Sequence, residues 1–193
     1  MSPILNADLH VNQIRKLCPD LLAGMYSPRV VTLTGGTVYK FTSAKVPAAA
    51  RLASPWWFDE TEFRKLDAYL KLDPGNVAFL ARTQGAVKYE WSDMDTLIAA
   101  HVAAPIRVFS GPGKWQLETT KTGSHIAFQA PADLLQTYIP NIVDRATRRL
   151  NATGRAALRL ISTTTVTSGD AIDQAIQTLR GKTIVIPGNP TVQ

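Results

Sequence analysis

Apolar and polar positions along the chain follow two rhythms, one near 3.6 residues and one of two. Leu9, Val11, Ile14, Leu17, Leu21 and Leu22 keep mostly helical spacing, broken at Pro19. The apolar run Arg29–Thr34 and the alternating run Thr37–Ser43 flank Gly35-Gly36, which predicts a hairpin. Ala44–Ala53 is alanine-rich and reads as helical around Pro47. Asp59 and Glu62 form a capping box, and Phe63, Leu66, Tyr69 and Leu70 give the helix that follows its apolar stripe.

Asp73-Pro-Gly-Asn76 is a turn, after which Val77–Leu80 and Ala86–Trp91 read as strands. Ser92 with Asp95 forms a second capping box, opening a short helix through Ala103. Ile106–Ser110 and Lys114–Thr120 alternate across Gly111-Pro-Gly113, and His125–Gln129 is one more strand. Ala132–Tyr138 and Asn141–Asn151 read as helices. The rest predicts strand Ala157–Thr165, helix Ala171–Leu179 ending at Gly181, strand Thr183–Ile186 and a loose tail over 188–193. Short strands and helices mix without a βαβ rhythm. The expectation is therefore α+β: a single domain over 1–193 with a largely antiparallel sheet and flanking helices.

Composition narrows this only a little. With 193 residues, 45% hydrophobic and 19% charged, the chain can bury a core without metal or disulfide staples. The net charge of +6 permits an acidic partner without selecting one. Cys18 is the single cysteine, so no intrachain disulfide forms, and a core thiol is the expectation. No segment reaches the roughly 18 apolar residues of a membrane-spanning helix, and the N-terminus lacks a standard signal peptide. The expected location is cytoplasmic, or that of a secreted effector without such a signal. His10, His101 and His125 are isolated in the sequence, so no metal site is expected.

Three short stretches carry the candidate chemistry. In Thr37-Val-Tyr-Lys-Phe-Thr-Ser43 alternation puts Lys40 on one strand face and Tyr39 on the other. Lys40 is either a solvated cation or a point charge for a phosphate. In Ser54-Pro-Trp-Trp-Phe58 the indoles of Trp56 and Trp57 point opposite ways, so one can pack while the other stacks on a planar ring. In Gln116-Leu-Glu118 the amide and the carboxylate share a face. That suits an amide orienting an acceptor beside a carboxylate that stabilises an oxocarbenium-like transition state, or else two solvated residues.

Taken in order, Tyr39-Lys40, Ser54 and Gln116-Leu-Glu118 resemble the mono-ADP-ribosyltransferase fold family. The pattern departs at Lys40, where the family carries Arg or His, and at Pro-Trp-Trp, which replaces the rest of its Ser-Thr-Ser. The resemblance spans residues 37–118 and implies NAD as substrate. It further implies Glu118 and Gln116 as catalytic, with Tyr39, Lys40, Ser54, Trp56 and Trp57 binding NAD. It points to an ADP-ribosyltransferase or NAD glycohydrolase, as a toxin or effector with a macromolecular acceptor or a cognate inhibitor. Two alternatives stand beside it. Arg145, Arg148 and Arg149 would form a basic stripe on the helix from Asn141, suited to nucleic acid. A non-catalytic structural or assembly protein is the other.

Overall fold

The computed structural model describes residues 3–119 and 125–166. Two short helices come first: α1 (Ile14–Leu17) and α2 (Pro19–Gly24), separated because Pro19 cannot continue one helix but can begin the next. Strands β1 (Arg29–Leu33), β2 (Thr37–Thr42) and β3 (Trp56–Asp59) lead into α3 (Glu60–Leu70) and α4 (Val77–Gly85). Then come β4 (Thr96–Val102), β5 (Ile106–Pro112), β6 (Gln116–Thr119) and β7 (His125–Phe128). The described chain ends with β8 (Leu135–Tyr138), β9 (Val143–Asp144), β10 (Arg149–Leu150), α5 (Ala152–Ala157) and β11 (Leu158–Thr165).

Seven strands form one antiparallel sheet in the order β1-β5-β8-β3-β2-β4-β11, with β6–β7 and β9–β10 as separate pairs. The fold is α+β with a largely antiparallel sheet and flanking helices, as the pattern led one to expect. Apolar side chains on the two faces divide the core. Val38, Trp57, Ile98, Ile106, Val108 and Ile139 cluster together. Phe41, Phe58 and Met94 pack under α3 and α4 with Leu66, Leu70 and Ala81. Leu9, Ile14, Cys18 and Leu21 gather with Phe109 and Tyr138. Cys18 is buried, and burial pushes its thiol up from the ordinary range.

Several local expectations give way. The β1–β2 hairpin does not form: β1 pairs with β5, and β5, β8 and β3 stand between it and β2. The carbonyl of Gly36, at φ 84°, instead accepts from the Val102 amide, feeding β2 directly onto β4. Ala44–Ala53 holds only a single 3₁₀ turn, Ala48–Ala50. Val77–Leu80 is the start of α4, whose buried Ala78, Ala81, Arg82 and Gly85 keep helical spacing. Residues 86–95 are a loop rather than a strand and then a helix. Ser92 Oγ accepts from the Met94 amide in a tight turn, and β4 follows. The alanines of β4 lie between β2 and β11, where the need for two neighbours outweighs their helix propensity. Ala132–Tyr138 likewise yields a strand, β8, held on both sides by β3 and β5.

The capping box at Asp59 is half realised. Asp59 accepts from the Glu62 amide at 2.9 Å, as expected. Glu62, however, turns away and accepts from the Leu135 amide at 2.8 Å, tying α3 to β8. The helix and strand expected over 171–186, and the loose tail over 188–193, lie outside the described residues.

Candidate functional site

β2 and β3 form the floor of a cavity of about 620 Å3. Alternation along β2 sends Tyr39 to the helix side, where its ring stacks on Phe63 at 3.9 Å, and sends Lys40 to the face it shares with Trp57. Lys40 lines the cavity and its side chain is mostly buried, 6% exposed, rather than lying on an open surface. Its ammonium lies 5.2 Å from the centre of the Trp57 ring. No carboxylate or hydrogen-bond acceptor among the described residues reaches it. Desolvation brings its pKa down to about 7, because burial disfavours the charged form.

The tryptophans form a second wall. Trp57 donates its indole N–H to the Ser54 carbonyl at 2.7 Å and is buried. Trp56 lies on Gly24, where even a Cβ would come within 2.6 Å of the ring, and meets Tyr138 edge-on at 5.0 Å. Ser54 Oγ accepts from the Trp56 amide at 3.2 Å, so the hydroxyl shapes the turn into β3. Both indoles and Ser54 line the cavity.

The opposite wall is the loop after α4, with Val87, Trp91, Ser92 and Met94. Arg82, 2% exposed, fixes it by donating to the carbonyls of Val87 and Ser92 at 3.2 and 2.7 Å, its guanidinium lying 3.7 Å over the Tyr89 ring. Glu118 adds a third tie, accepting from the Tyr89 amide at 2.6 Å. Gln116 reaches the cavity and donates to the Ala23 carbonyl at 3.0 Å. Gln136 lines it too, donating to Gly85 at 2.8 Å.

The cavity thus gathers Lys40, Ser54, Trp56, Trp57 and Gln116 from three separate parts of the sequence. Tyr39 and Glu118 stand outside its lining. Glu118 is on the same face of β6 as Gln116, yet its carboxylate is committed to the loop. Sequence reasoning missed Asp20, Trp91 and Gln136. Asp20 carried no signal, being one more acid in a helix. Gln136 was hidden by reading Leu135-Gln-Thr-Tyr138 as helix, although Thr-Tyr favours a strand.

The basic stripe is corrected. Arg145, Arg148 and Arg149 sit around the β9–β10 hairpin rather than on a helix. Asp144 Oδ1 accepts from the amides of Ala146 and Thr147, and Arg148 takes φ 53°, so the segment turns back on itself. All three arginines are exposed.

No family model and no curated protein matches the chain. Among solved structures it is similar to "Rhs1-CT in complex with cognate immunity protein RhsI1", with a TM-score of 0.43 and 15% identity. That match covers 74% of this chain and 84% of the other. Among the described residues no helix is long and apolar enough to cross a membrane.

Proposed function

We propose that the cavity binds an anionic ligand bearing a planar ring, and we assign a nicotinamide dinucleotide to it. The observation that carries the reading is Lys40: a side chain only 6% exposed, its ammonium without a counter-charge among the described residues, opening into a space lined by the indole of Trp56. A partly desolvated cation without a counter-charge is costly, and a ligand phosphate would relieve that cost. Trp56, partly exposed, offers a face for nicotinamide or adenine, while Trp57 is packed in the core behind Lys40, and Gln116 offers an amide at the wall.

The enzymatic form of this proposal is cleavage of the nicotinamide–ribose bond, with ADP-ribose passed to a macromolecular acceptor or to water. Glu118 enters it through the loop it holds, since its carboxylate is bonded to Tyr89 and does not line the cavity. As a toxin or effector, such a protein would drain a recipient cell's NAD, and a cognate inhibitor would act by closing the cavity mouth.

The test is NAD-induced thermal stabilisation and nicotinamide release by the purified protein, beside Lys40→Met. The reading expects both signals in the wild type and neither in the variant. Absence of both from a folded wild-type protein would remove the dinucleotide.

A second reading, nucleic-acid binding, draws on the exposure of Arg145, Arg148, Arg149, Arg155 and Arg159 on adjoining elements. It expects a gel shift at low salt that weakens steeply as salt rises. No shift at low salt would remove it.

A further inference from the structure

Lys40 and Asp20 are the two charged side chains in the described lining, and they form no ion pair with each other. Asp20 is exposed at the mouth, whereas Lys40 is deep in the wall. Around Lys40 the surroundings do not titrate: Trp57 comes from β3, and Ile98 stands opposite in register on β4. Asp93, beside the end of β2, is engaged by Ser43 at 2.6 Å and Lys45 at 3.2 Å. A hydrocarbon in place of the amine would fill this position without the desolvation cost.

We propose that Lys40 is an imine-forming amine, and that the cavity captures an aldehyde or ketone with a planar apolar body. The geometry supplies a nucleophile held in an apolar wall, open space in front of it, and the accessible indoles of Trp56 and Trp91 to orient the carbonyl compound. Its depressed pKa, about 7, supports the same use. Near neutral pH about half of such amines carry a free lone pair, against fewer than about one in a thousand for an ordinary surface lysine.

The step balances without a redox partner. The Lys40 nitrogen attacks the carbonyl carbon, a C–N bond forms, and the C=O π pair moves to oxygen, which takes up a proton. The nitrogen gives up one proton to solvent, a second proton from solvent reaches the hydroxyl, and the nitrogen lone pair breaks the C–O bond and expels water, leaving a protonated imine; added water reverses the sequence. Asp20 is the one other charged side chain in the described lining, and it is exposed. The proposal shares the cavity with the dinucleotide reading but does not depend on it. The ammonium form suits a phosphate, and the neutral form attacks a carbonyl.

The experiment treats the whole protein with benzaldehyde and cyanoborohydride near pH 7.5, followed by intact mass and peptide mapping. The expected result is a single benzyl group on Lys40 at a dose that leaves surface lysines unmodified. Its rate should rise with pH up to about 7 and then level off, and Lys40→Arg should abolish it. Labelling spread over exposed lysines with Lys40 unmodified would overturn the proposal, whatever the variant does. Lys40 labelled in a protein that shows no NAD-induced stabilisation would support the imine site and remove only the dinucleotide. NAD stabilisation with Lys40 inert would remove only the imine site.

Discussion

The Lys40 ammonium stands 5.2 Å from the ring centre of Trp57, two side chains on the cavity face of neighbouring strands. An indole face favours a cation by about 0.5–2 kcal/mol. Desolvation works the other way and brings the amine down to about 7. A structural contact alone does not account for a lysine here.

Stability should rise with pH above neutrality. The unfolded chain keeps the Lys40 proton up to about 10.4, the folded chain only to about 7. Between these values the unfolded state binds more protons, so the contribution of Lys40 to stability grows by up to about 1.4 kcal/mol per pH unit. Below about 7 both states are protonated and the slope vanishes. Urea titrations of wild type and Lys40→Met from pH 6 to 9.5 should converge as pH rises, with the variant more stable at the acid end. Parallel curves would show that Lys40 is hydrated.

Gly24→Ala should damage the cavity through Trp56. The added Cβ meets the indole at 2.6 Å, and the ring has Tyr138 against it. Overpacking of this kind costs about 1–3 kcal/mol. The melting temperature should fall, and ligand affinity should fall about tenfold with it as the indole leaves the wall. Unchanged affinity in a destabilised variant would separate Trp56 from binding.

Glu118→Ala should loosen the loop over 86–95. A charge-assisted bond to the Tyr89 amide is lost, a cost of about 1.5–3 kcal/mol. Hydrogen exchange at that amide should accelerate, while Glu118→Gln, which still accepts, keeps most of the protection. If exchange stays slow in Glu118→Ala while nicotinamide release disappears, Glu118 acts in the chemistry directly.

Glu62→Ala should unfasten α3 from β8. The Glu62 side chain is 8% exposed and holds both Lys65 and the Leu135 amide. Losing it should cost about 2 kcal/mol, read as a lower urea midpoint. A change under half that would mean that water replaces the carboxylate.

The sequence was most legible where local chemistry decided the outcome. Asp59 capped α3, Pro19 divided the first helices, and alternation put Lys40 and Tyr39 on opposite faces of β2. It failed where distant neighbours decided. Ala99 and Ala100 are strand residues because β2 and β11 need them there, whereas Asn141–Asn151 is a local miss, its helix lost to the turn that the Asp144 side chain organises with the next residues. The candidate site was read in part for the same reason. Gln116 reaches the cavity on a pairing with Ala23 across the chain, whereas the partner of Glu118, the Tyr89 amide, has no signature in sequence spacing.

The order of strands also sets a timetable for synthesis. Trp57 is held against Thr137, and Arg29 against Ser110, so the first strands made must wait for the last of their partners. A nascent chain that has emerged only as far as β4 carries Lys40 and both indoles but lacks β5 and β8 to pair with β1 and β3. Such separated pairings close slowly and leave apolar strands open to wrong partners in the interval. Those pairings, and the cavity they frame, therefore wait until Tyr138 has left the exit tunnel, and chains truncated before that point should show no NAD-induced stabilisation.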